Sequence, residues 1–203
     1  MSELTRDLLA AVAHELGGLG GALDLRATAM GSAIPERDLR ALKDIAEEIR
    51  VVTRAVRMIR GADGFGTLAP GRRLTLAEWW ELLSRFAPVA LPRGVGVESQ
   101  LPETDLKADH ASALSWIWLA ACKELAERGI IPPCTITLSA GPAEDGRVTV
   151  VAELAADCVA SPEGGESTWS QYSASVAEQH GISPPVWVQD GRKLRWSCEV
   201  ATE

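Results

Sequence analysis

Positive charge is in short supply in this chain. Lys and Arg number 20 against 28 Asp and Glu, which leaves a net charge of −8 at pH 7. No basic stripe exists to neutralise phosphates, and that excludes nucleic acid as a partner. Long apolar runs are missing as well. Charge or glycine breaks each one well short of about 18 residues, so no membrane-spanning helix is expected. Residues 1–17 lack the basic start and small-residue cleavage site of a secretory signal, and a cytoplasmic protein is expected. Cysteine is scarce and scattered, at Cys122, Cys134, Cys158 and Cys198. None forms a CxxC pair, and three histidines cannot easily complete a zinc site with them, so no metal is expected. The thiols read as reduced and mostly buried.

What is present is the material of a folded protein. Hydrophobic residues make up 46% and charged residues 24%, too apolar for a disordered chain. A length of 203 residues holds one large domain or two small ones. Residues 1–60 read as a helical hairpin. Leu9, Val12, Leu16, Leu19 and Leu23 recur in steps of three and four, and Leu42, Ile45, Ile49, Val52, Val56 and Ile59 repeat that rhythm. Such a pattern is the seam of helices packed in a bundle. Gly31 and Pro35 supply the turn between them, as helix stop and helix start. A homodimer that pools the two seams into a four-helix bundle buries them better than one hairpin does. The alternative is a hairpin packed on its own second domain.

Residues 61–73 (GADGFGTLAPGRR) form a Gly-rich hinge. Residues 74–203 then mix helices with strands. Residues 74–86 are predicted helical, with Thr75 as N-cap and Glu78 placed for a capping box. Strands are predicted over 95–101, 134–139, 147–154, 186–188 and 193–200, and helices over 111–128 and up to about His180. Asp145-Gly146 marks a hairpin turn. Helices with antiparallel hairpins predict an α+β chain whose second domain is an α/β sandwich, helices on one face and water on the other. Trp79, Trp80, Trp116 and Trp118 are expected in its core.

Four stretches carry a resemblance. Ala13-His14-Glu15-Leu16 resembles the phosphoacceptor box of bacterial sensor histidine kinases, which continues with two variable positions and Pro-Leu. Residues 74–83 (LTLAEWWELL) resemble the first helix of that family's ATP-binding domain. Lys107-Ala108-Asp109 with Ala113-Leu114 resembles the start of its Asn-bearing helix. Ala177-Glu178-Gln179-His180-Gly181 resembles its last helix and turn. The resemblance implies a dimeric four-helix bundle followed by an ATPase-type α/β sandwich. The departures matter more. Counted from Asp109, Leu119 and Lys123 fall where kinases carry Asn, and the chain contains no asparagine. That Asn holds the Mg²⁺ bridging the ATP phosphates, a hard cation that wants oxygen ligands. Asp157-Cys158-Val159-Ala160-Ser161 stands in place of Asp-x-Gly-x-Gly, with Gly164-Gly165 as the surviving pair. Leu19 and Gly20 replace the Pro-Leu of the phosphoacceptor box. The second domain thus reads as a degenerate ATP site with no cofactor of its own.

At about 100° per residue, His14 falls almost opposite the centre of the first apolar seam and should face solvent. Asp7, Ala10, Ala11, Gly17, Gly18 and Gly21 are its neighbours on that face. Nearly all are small, and each helical glycine costs roughly 1 kcal/mol relative to Ala. Gly18 and Gly21 would leave a bare groove into which a partner could dock. The competing reading is a loosely packed helix kinked at its glycines. Glu15 is read as orienting the imidazole or acting in water chemistry, or as a plain solvated carboxylate. A neutral imidazole is nucleophilic near pH 7. The pattern resembles the dimeric histidine phosphotransferases of bacterial phosphorelays. This implies a His–Asp relay between receiver domains through His14, the partner supplying Mg²⁺ and the acceptor Asp. A kinase-like scaffold without catalysis, and a pseudokinase that still binds nucleotide, are the alternatives.

Overall fold

The computed structural model describes residues 3–30, 33–60, 74–142, 145–160, 167–190 and 192–202; the side chains of 3–13, Glu15, Arg60, Pro88, Val89, Ala108 and Asp109 lie outside the described ones. The chain divides into two compact units, Met1–Thr67 and Leu68–Glu203.

The first unit is a hairpin of α1 (Glu3–Met30) and α2 (Glu36–Arg60). Pro35 opens α2, its carbonyl accepting from the amides of Asp38 and Leu39 at 2.9 and 3.1 Å. Glu36 and Asp38 put negative charge in the first turn, where the helix dipole favours it. α1 runs as one continuous helix through Gly17, Gly18, Gly20 and Gly21. The packed face of α1 lies elsewhere than the leucine seam. Among the described side chains of α1, Gly20 and Ala27 are the buried positions, Leu16 and Leu23 are half-buried, and Leu19 is 53% exposed; Leu9 and Val12 lie outside them. The reason is close approach: a Cβ on Gly20 would sit 3.1 Å from Ile49 Cγ2 and 3.6 Å from the Ala46 carbonyl oxygen. Small residues let the backbones meet, and the leucines are rotated off to the flank. On α2, Ala46, Val56 and Ile59 are buried, Leu42, Ile49 and Val52 are half-buried, and Ile45 is 50% exposed.

The second unit is an α+β sandwich. Its elements are β1 (Leu74–Thr75), α3 (Leu76–Leu83), a 3-10 turn (Ser84–Phe86), α4 (Ala87–Ala90), β2 (Val95–Gln100), β3 (Asp105–Leu106) and α5 (Ala108–Glu127). β4 (Cys134–Ala140), β5 (Arg147–Ala155), a second 3-10 turn (Ala156–Cys158), α6 (Thr168–Gln179), β6 (Val186–Asp190) and β7 (Lys193–Ala201) follow. The expected capping box is present. Thr75 Oγ1 accepts from the Glu78 amide at 3.2 Å, and the Glu78 carboxylate accepts from the Thr75 amide at 3.2 Å. The helix expected over 74–86 is shorter, because Leu74–Thr75 is drawn into a two-stranded ladder with β3.

The main sheet has the order β2-β4-β5-β7-β6. The expected antiparallel hairpins are present at β4–β5 and β6–β7, while β2, read as a strand without a partner, pairs parallel with β4. α5 lies between these strands in sequence and is the crossover that a parallel pair needs. Asp145 and Gly146 turn the β4–β5 hairpin with φ of 49° and 70°, the left-handed pair its geometry demands. Alternation along β7 buries Leu194, Trp196, Cys198 and Val200. The residues between them carry polar side chains, and Lys193 Nζ reaches Glu153 at 2.8 Å. Trp118 of α5 stacks edge-on against Trp196 at 5.7 Å and against Trp80 at 5.8 Å, joining helices to sheet. Trp79 Nε1 donates to Ser115 Oγ at 3.0 Å, which satisfies its buried polar atom. Trp116, expected in the core, is half-buried: on α5 it points away from the side occupied by Trp118. Cys122, Cys134 and Cys198 are buried and Cys158 half-buried, all as free thiols.

Candidate functional site

His14 stands exposed on the flank of α1, beside the helix interface and about 120° round from its buried line. It is exposed, as helix geometry led one to expect, and it also lines a cleft that the sequence did not reveal. Turning towards α2, it joins Gly17, Gly18, Glu47, Arg50, Thr53, Arg54 and Arg57 around an open cleft of about 540 Å³. The bare wall of this cleft is glycine. A Cβ on Gly17 would lie 3.7 Å from Arg57 Nη2 and 3.8 Å from Thr53 Cγ2, and one on Gly18 would meet nothing within 4 Å. Gly21 is equally open but lies outside the cleft lining. Asp7, Ala10, Ala11 and Glu15 belong to α1, and their side chains lie outside the described residues.

The α2 wall is cationic. Arg50, Arg54 and Arg57 occupy successive turns of one helix face, opposed in the lining by Glu47. Arg50 is engaged: Nη2 donates to Asp24 at 2.7 Å and Nη1 to Glu47 at 3.2 Å. The hydrogen bonds it donates to Glu47 and Asp24 raise its pKa above the ordinary arginine value. Thr53 Oγ1 donates back to the Ile49 carbonyl at 2.7 Å, turning its methyl towards Gly17. These arginines were missed in the sequence because they lie some forty residues from His14, on a helix read only for its apolar seam.

The other histidines are placed differently. His110 is buried, and its Nδ1 accepts from the Ala201 amide at 3.0 Å, so it ties α5 to β7. His180 caps the end of α6. Among the described residues no helix is long and apolar enough to cross a membrane.

No protein-family model matches the chain, and no curated protein matches it in sequence. Solved structures do. The histidine kinase domain of a blue-light-activated histidine kinase from Erythrobacter litoralis superposes with a TM-score of 0.52 at 12% identity, over 89% of this chain and 95% of that one. The longer structure of the same kinase gives 0.52 at 12% identity over 99% of this chain, which spans 60% of its length. The histidine kinase AdeS of Acinetobacter baumannii gives 0.50 at 12% identity, over 96% and 97% of the two chains. The chain therefore has a histidine-kinase-like α+β fold.

The sequence resemblance counts Leu119 and Lys123 at the positions of the kinase Asn, and their side chains do not fit Mg²⁺. Leu119 and Lys123 are half-buried on α5 and offer an alkyl group and an amine, where Mg²⁺ wants oxygen. Glu124 beside them is buried and tied to Arg128 at 2.6 Å. Among the described residues no three His, Cys, Asp or Glu gather to hold a metal. Gly164 and Gly165 lie outside the described residues.

Proposed function

We propose that this protein is a histidine phosphotransferase. It relays a phosphoryl group between receiver-domain aspartates through His14, without ATP-dependent kinase activity of its own. The observation that carries this reading is His14 itself, exposed at an open cleft walled by glycine on one side and arginine on the other. Phosphoryl transfer asks little of a protein beyond an in-line nucleophile and charge neutralisation, and both requirements have residues here. The receiver brings the acyl phosphate and the Mg²⁺. The hairpin pairs with a second copy to complete a four-helix bundle. Leu19 and Ile45, 53% and 50% exposed, supply apolar surface for that pairing.

The test is labelling by a panel of phosphorylated receiver domains. Wild-type protein should take an acid-labile, alkali-stable label, and His14→Ala should lose it while keeping helical content and oligomeric state. Gly18→Leu should slow the transfer by filling the cleft wall. If His14→Ala still accepts phosphate, the relay reading is wrong and the scaffold reading takes its place.

A further inference from the structure

We infer that Arg54 and Arg57 form an anion seat that holds the phosphoryl group while it is exchanged at His14. This rests on the relay reading of His14 and adds the residues that handle the charge.

The chain as a whole is acidic, at −8, yet the cleft lining carries three arginines against one glutamate. Arg50 is engaged by Asp24 and Glu47. Arg54 and Arg57 are half-buried, and no ion pair is recorded for either among the described residues. Their spacing of three sets two guanidinium groups side by side on one helix face, where both can reach a single anion. The geometry also has a direction. Arg57 reaches across from α2 until its Nη2 lies 3.7 Å from the site of a Gly17 Cβ. Gly17 is one helical turn beyond His14, on the same side of α1. The guanidinium lies against the bare stretch of α1 at Gly17, within van der Waals reach of where a side chain there would begin. Arginine suits this task, since its planar fork matches phosphoryl oxygens two at a time and stays charged at every physiological pH.

The exchange then balances as follows. A lone pair of an imidazole nitrogen of His14 attacks phosphorus, and the P–N bond forms. The P–O bond to the partner's aspartate breaks, and its electron pair returns to the carboxylate. The phosphoimidazolium releases its extra proton to solvent. Throughout, the equatorial oxygens carry negative charge, which Arg54 and Arg57 neutralise from the α2 side. Transfer onward reverses these steps.

Phosphoramidate, a small phosphodonor that expels ammonia, removes the receiver from the test. With the full chain, ³¹P NMR should show phosphohistidine forming on wild type. Arg54→Gln/Arg57→Gln should form it about tenfold more slowly or worse. Arg54→Lys/Arg57→Lys should restore part of the rate, since charge is kept while the bidentate fork is lost. Inorganic phosphate should inhibit wild type and not the Gln variant. If the double variant does not fold, Arg54→Gln alone gives the same comparison. A Gln variant labelled at the wild-type rate overturns the seat and leaves the relay standing. Wild type that takes no phosphate from phosphoramidate or from receivers overturns both.

Discussion

The two units close their cores in opposite ways. In the second, Trp79, Trp118 and Trp196 are 0%, 1% and 1% exposed, with Trp80 stacked among them. In the hairpin, Leu25, Leu19 and Ile45 stand 75%, 53% and 50% exposed, and a glycine makes the close contact between helices. Large aromatics fill the space between helix and sheet within one chain. A glycine contact brings two backbones together but leaves the flanking leucines in water, where another surface can cover them. The unit that resembles an ATP domain is thus the firmly packed one. The unit with the cleft beside His14 is the loosely packed one, as surfaces that receive partners tend to be.

Breaking the tryptophan cluster should have the largest effect. Trp118→Ala leaves a cavity between Trp80 and Trp196 and should cost about 3–5 kcal/mol, read from urea unfolding followed by circular dichroism. A loss below 1 kcal/mol would mean that the stack is not the centre of this core. A second, smaller effect should come from buried thiols. Burial pushes the Cys198 thiol up from 9.0 to about 12, with Glu199 adding to the rise, and burial pushes Cys122 up as well. The folded state therefore keeps these protons where the unfolded chain has lost them. Their contribution is whole below about pH 9 and falls as pH rises from there towards 12. Each thiol adds a slope of up to about 1.4 kcal/mol per pH unit. Cys198→Ala should flatten the alkaline loss by one thiol's share. An unchanged slope would place Cys198 in contact with water.

Local signals were legible in the sequence. Thr75 and Glu78 announced the capping box, and alternation placed β4, β5 and β7 to within a residue or two. Asp145-Gly146 gave away its turn because few other residues take a left-handed pair. Contacts distant in sequence were not legible. The parallel pairing of β2 with β4 depends on a crossover that no strand pattern encodes. The seam through Leu19 was drawn from periodicity alone, which counts apolar residues and passes over Gly20 and Ala27, the buried positions among the described side chains of α1. Exposure of His14 followed from helix geometry. Its arginine neighbours depend on how α2 is rotated against α1, and Gly20 sets that rotation through Ile49.

This makes Gly20 and Gly21 the finest probe of the hairpin. They are adjacent, share one helix, and differ in what lies outside them. A methyl group on Gly21 would meet nothing within 4 Å, whereas one on Gly20 would press on Ile49 Cγ2 at 3.1 Å. Ala in place of a helical Gly gains about 0.5–1 kcal/mol through backbone entropy alone. Gly21→Ala should show that gain in full. Gly20→Ala should lose most or all of it to the strain of moving Ile49. Rotation of α2 away from α1 would also shift Arg57 from its place over Gly17, so Gly20→Ala should slow phosphohistidine formation while Gly21→Ala leaves it alone. Equal stabilisation by both substitutions, measured by thermal unfolding of the intact chain, would mean that the helices do not meet at Gly20. The cleft beside His14 would then have to be built some other way.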